Sequence, residues 1–162
     1  MTHINLIRAL ADELRGLLGR VKLPVEYAEK ATAEDFIKVN VFEQFLPKDL
    51  FDETTYYPLV LVEWLSTVDN LKEISTAQVG LTIGVYAKEE DGWIDAFYLM
   101  ELIRQHLLRK RLIAQKFRLA EEIRFEVPSE QPLPFFFIMG NLSYEMFQPQ
   151  EQLTILQTVA EL

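Results

Sequence analysis

The sequence of 162 residues has no cysteine and only two histidines, His3 and His106. The first absence excludes disulfides, thiolate metal sites and a cysteine nucleophile, and two histidines cannot supply a three-histidine centre. No metal or cofactor is expected. Glycine is scarce at six residues. Gly80 and Gly84 lie inside a strand pattern, whereas a phosphate cradle needs a strand-to-helix turn. No serine sits in a nucleophile elbow, and His106 has no partner recognisable in the sequence, so no catalytic residue is assigned. Long apolar runs are also missing. Arg8, Asp12, Glu13 and Arg15 interrupt the N-terminal stretch, and nothing approaches the ~20 apolar residues of a spanning helix, so a cytoplasmic location is expected. Positive charge is in short supply: 16 Lys and Arg against 25 Asp and Glu leave a net charge of -9. That balance argues against generic binding to a phosphate backbone.

What is present suits one globular domain. Hydrophobic residues make up 49% and charged residues 25% of the chain, and a domain of this size buries roughly 70% of its unfolded surface. Ile4, Ile7, Leu10, Ala11, Leu14, Leu17 and Leu18 recur at helical spacing, predicting a first amphipathic helix that stops near Gly19, before Pro24. From Asp35 the period becomes two, with Ile37, Val39 and Val41 on one face of a strand. The run from Leu59 to Leu65 is apolar throughout and predicts a strand covered on both faces. Gln78 to Tyr86 is the clearest strand, with Val79, Leu81, Ile83 and Val85 on one side. Gly80 and Gly84 share the other side, where helix-on-sheet packing is expected.

A second helix is predicted from Trp93 to Arg109, N-capped near Asp91 or Gly92, with Ile94, Phe97, Met100, Ile103 and Leu107 facing inward. Glu122 to Val127 alternates as a fourth strand, and Phe135 to Met146 makes a long last one, bent at Gly140. Pro149 separates residues 1–148 from a tail, 149–162, with the spacing of a short helix. Strands grouped together, not alternating with helices, indicate an α+β fold: a mostly antiparallel sheet with two amphipathic helices packed on one face.

Two charged constellations stand out. Glu89, Glu90, Asp91 and Asp95 suit the positive end of the second helix and are expected to be solvated. Arg109, Lys110, Arg111, Lys116 and Arg118 gather after the same helix, with Arg104 and Arg124 nearby. They complement the helix dipole and mark the candidate surface for an acidic partner or DNA.

Several motifs, taken in order, resemble one family. Tyr57-Pro58-Leu59-Val60-Leu61-Val62, Asp69-Asn70, Val79 to Tyr86 and Gly92-Trp93-Ile94-Asp95 are followed by Glu101 to Leu107, Pro134-Phe135-Phe136-Phe137 and Gly140. In order and spacing they resemble the tail terminator (tail-completion) proteins of long-tailed bacteriophages and prophages, over about Val39 to Met146. Glu63-Trp64 and Ser66-Thr67-Val68 depart from the pattern, at a basic strand end and a glycine turn. The resemblance implies a virion structural protein, not an enzyme. It would form a ring, typically a hexamer, that caps the head-proximal end of the tail tube, ends tube growth and offers the head-joining surface. Its implied partners are other copies of itself, the tail tube protein and a head-completion protein, with DNA contact only incidental in the lumen and no membrane. It implies assembly in the bacterial cytoplasm and residence in the virion tail. A head-to-tail neck component is the alternative, and a small hydrolase using the acidic loop is the remote one. The connector from Phe45 to Tyr56 holds more large apolar groups than solvation favours. Phe45, Leu46, Leu50, Phe51 and Tyr56 are therefore the expected subunit interface, joined by Leu153 and Leu156 if the tail reaches a neighbour as an arm.

Overall fold

A computed structural model describes residues 2–24, 36–47, 54–88 and 90–152. Helix α1 (His3–Leu18) is opened by Thr2, whose side chain accepts a hydrogen bond from the Asn5 amide, and gives way at Gly19. Strands β1 (Asn40–Glu43), β2 (Leu59–Asp69) and β3 (Ile74–Tyr86) follow, then helix α2 (Gly92–Arg109). The chain continues through β4 (Leu112–Ile113), β5 (Phe117–Glu126) and β6 (Phe135–Phe147). The fold is α+β, with six strands in one curled, mostly antiparallel sheet of order β1-β2-β3-β6-β5-β4. Only β1 and β2 run parallel.

Both helices cover the same face of this sheet. Leu6, Leu10, Leu14 and Leu18 of α1 share one core with Leu99, Ile103 and Leu107 of α2 and with Val60, Val62, Val79, Leu81, Ile83, Ile138, Leu142 and Tyr144 from the strands. Strand alternation places the second face opposite, and it is polar at one end and aromatic at the other. At the aromatic end the Tyr57 ring lies 4.8 Å from Phe135, which in turn lies 5.3 Å from Tyr86.

Several boundaries differ from the sequence reading. The first strand is shifted toward the C-terminus, because the register aligns Asn40 with Leu59, and Ile37 makes only a lone bridge to Val21. α2 turns a different stripe inward: Asp95, Ala96 and Leu99 are buried with Ile103 and Leu107, while Phe97 is 38% exposed. Both stripes have helical spacing, and the small Gly92 and Ala96 let this one approach the sheet closely. Asp95 is accordingly buried and not solvated. The glycine face of β3 carries no helix. Leu65 packs over Gly80, and Phe137 and Tyr57 over Gly84, so the chain's own side chains fill that hollow. β6 also keeps an unbroken register with β3 through Gly140.

Three glutamines finish edges that the strands leave incomplete. Gln44, at φ 64, turns out of β1, and its side chain donates to the Trp64 carbonyl and accepts from the Trp64 amide at 3.1 and 2.8 Å. Gln131 makes the same pair of bonds with Phe137, at 2.9 and 2.7 Å. Gln148 donates to the carbonyls of Asn70 and Ile74, tying the end of the β2–β3 hairpin to β6. Each satisfies backbone groups that would otherwise be costly to leave unpaired.

A polar clasp joins the two helices. Glu13 of α1 lies 2.7 Å from His106 Nε2 and 2.8 Å from Lys110 Nζ of α2. An ionised carboxylate only accepts, so Nε2 carries the proton in that bond. Beneath it, Tyr144 is buried with its hydroxyl unpaired among the described residues, and burial together with the Glu13 charge raises the phenol pKa. Burial pushes the Glu13 carboxyl up, but the bonds and charges of Lys110 and His106 outweigh it and hold the pKa below 4.5. A carboxylate with a depressed folded pKa stabilises the fold above its unfolded value, and that contribution is lost as pH falls through the folded one. Glu13→Gln is therefore expected to lose less stability than the wild type on acidification below 4.5, read by urea unfolding at neutral and acid pH. Parallel acid limbs in the two proteins would show that the clasp does not couple to folding.

Candidate assembly surface

The connector expected to form an interface is only partly described. Leu50, Phe51, Leu153 and Leu156 lie outside the described residues, as does Glu89. Of the others, Phe45 projects with 77% of its surface exposed, and Leu46 is half-buried. Tyr56 packs against Phe42, ring centroids 6.4 Å apart, and its carbonyl accepts from the Asn40 side chain. It belongs as much to the cover of β1 as to an outer surface.

The apolar surface that sequence reasoning missed is the end of the β2–β3 hairpin. Both strands run further than their periodic cores, and this carries Val68 (67% exposed) and Leu71 (97%) out beside Phe147 (73%). The tip is tied by hydrogen bonds within the turn. Asp69 accepts from Ser75 at 2.6 Å, and Asn70 accepts through its side chain from the Lys72 amide and donates its own amide to Ile74. The signal was present as apolar residues on both sides of Asp69-Asn70, which a solvated turn does not require.

Two grooves flank this hairpin. On the α1 side, a groove of about 410 Å³ is lined by Ile4, Ile7, Arg8, Glu43, Gln44 and Trp64 together with His3. Trp64 is oriented there by Thr67, which accepts from its indole at 2.8 Å and lies 2.7 Å from His3 Nε2. On the far side a groove of about 270 Å³ lies among Leu112, Lys116, Arg118, Met146 and Phe147.

The basic group divides. Arg109, Arg111, Lys116 and Arg118 are exposed along the end of α2 and the β4–β5 hairpin. Lys110 instead turns back to Glu13, and Arg104 and Arg124 pair with Glu101 and with Glu122 and Glu126. The acidic group at the start of α2 does not converge either, since Glu90 and Asp91 face solvent while Asp95 is buried. Among the described residues no three metal-ligating side chains cluster, and no helix is long and apolar enough to cross a membrane. No protein-family model matches the chain, and neither does any curated protein. The surface offers an apolar hairpin end between two grooves, with cations on one flank.

Proposed function

We propose that this chain is a tail terminator of a long-tailed phage or prophage: a ring, six copies in the family pattern, that caps the head-proximal end of the tail tube. In this reading it is assembled in the bacterial cytoplasm, meets the tube protein on one face of the ring and a head-completion protein on the other, and acts by binding. The observation that carries the reading is the exposed apolar end of the β2–β3 hairpin, because an apolar patch on an acidic surface suits contact with another protein. The residues behind the family resemblance also meet in space. Tyr57, Tyr86 and Phe135 form one aromatic corner, and an added Cβ at Gly92 would touch Phe136.

The reading is tested by tube length. Tails assembled with this chain are expected to have one length in negative-stain micrographs, and tails assembled without it to be over-long and uneven. Uniform tails in its absence would reject the proposal. Uniform tails that fail to join heads would move the chain to the neck.

A further inference from the structure

The register shows which parts of the two outer strands stand level. Val68 aligns through Thr76 and Glu145 with Arg118, and Leu61 through Thr82 and Met139 with Glu126. β1 lines β2 only from Leu59 to Val62, and the Gln44 side chain extends that cover to Trp64. Among the described residues, the outer edge of β2 is then open from Leu65 to Asp69. On the opposite side β4 lines only Phe117 and Arg118 of β5, with the Leu119 amide donating to the Arg111 carbonyl. Beyond it β5 shifts register between Leu119 and Ile123, and among the described residues its edge is open from there to Glu126. The open end of β2 at Val68 is thus level with the β4-covered start of β5, and Phe125 and Glu126 of open β5 are level with Val62 and Leu61, which Glu43 and Phe42 of β1 cover, so the outline of the sheet is two complementary steps.

Resting on the ring reading above, we propose that a second copy of this chain fills these steps. Its β4 lies along Val68 and Asp69 of β2, and Phe42 and Glu43 of β1 lie along Glu126 and Phe125 of its β5, so that the sheet continues from copy to copy. Strand directions permit this. β5 runs opposite to β2, so β1 meets the neighbour's β5 antiparallel, and β4 meets β2 parallel, when both copies point the same way. The two edges differ, so the contact is head-to-tail and not self-complementary, and it needs no shift along the strands. A head-to-tail contact of this kind makes a ring when the rotation between copies closes, and a filament when it does not. Charge agrees with the match at the β4 step. Asp69 and Glu73 stand at the end of the open β2 edge, with Lys72 between them, while Arg111, Lys116 and Arg118 surround β4. Unpaired strand edges are themselves adhesive, and the β4 step carries most of the contact, because the Val41 and Glu43 carbonyls of β1 already accept from Arg15 Nη2 and from the Phe45 amide.

The absence of native cysteine makes the test direct. Leu112 pairs with Arg118 and is therefore level with Val68, on the face away from the helices. Within one chain three strands separate these positions, about 19 Å along the sheet, beyond the reach of a disulfide. Val68→Cys with Leu112→Cys is expected, under mild oxidation, to give a ladder reaching beyond the dimer on a non-reducing gel. Either variant alone is expected to stay monomeric there. Phe42→Cys with Glu126→Cys probes the other step independently, and melting curves check that each variant folds. Native mass spectrometry of the unmodified chain separates the two ideas. An intact ring with no ladder from either pair would overturn the edge pairing and leave the ring. A wild-type monomer with no ladder would overturn both. Dimers from Val68→Cys alone would show a self-complementary contact and also sink the proposal.

Discussion

Phe117→Ala is expected to cost about 3–5 kcal/mol, the range for removing a buried phenylalanine, because little can move into the space it leaves. Phe117 is 1% exposed and sits on the helix-covered face at the start of β5, opposite Ile113. For a chain of this length each kcal/mol shifts the melting temperature by about 2–4 °C, so the midpoint should fall by on the order of 10 °C. Urea and thermal unfolding measure it. A loss below about 1 kcal/mol would mean that the start of β5 is not part of the core, and β4 would lose its place with it.

Gly92→Ala sets local preference against packing. By propensity alone, alanine in a helix is favoured over glycine by roughly 1 kcal/mol. At Gly92 an added Cβ would stand 2.5 Å from the Ala87 Cβ and 2.8 Å from the Phe136 ring. The Ala87 methyl is fixed to its backbone and cannot swing aside. The substitution is therefore expected to destabilise by about 1–3 kcal/mol, as overpacking does. None of the glycines has a positive φ, so the requirement here is for space and not for an unusual backbone. A more stable variant in equilibrium unfolding would refute the close approach of α2 to β6.

The elements legible in the sequence were those whose periodicity is long and whose ends carry chemical stops. α1 has four turns of apolar spacing, and Gly19 ends it as expected. β3 and β6 alternate over long stretches, and their apolar faces are the ones the helices cover. The β4–β5 hairpin was not legible. Its turn places Ala114 and Gln115 at φ 51 and 57, a left-handed conformation for which glycine, asparagine or aspartate would be the usual marker. Packing of Ile113 and Phe117 holds it there, so a tertiary contact overrides a local signal. The same holds for the clasp. Glu13 and His106 are 93 positions apart, and nothing local to either points to the other.

By itself the sequence determined the α+β class, the two helices and the long strands, because hydrophobic period is a local property that survives without knowledge of neighbours. It also excluded disulfides and thiolate chemistry through composition alone. Only the tertiary structure decided which residues reach the surface and where the sheet stops. Val68 and Leu71 are apolar in any reading, but their exposure depends on how far β2 and β3 extend beyond the cover of β1. The complementary steps arise from the registers of five strand pairings taken together, and register is set by contacts between distant segments, which no single segment encodes.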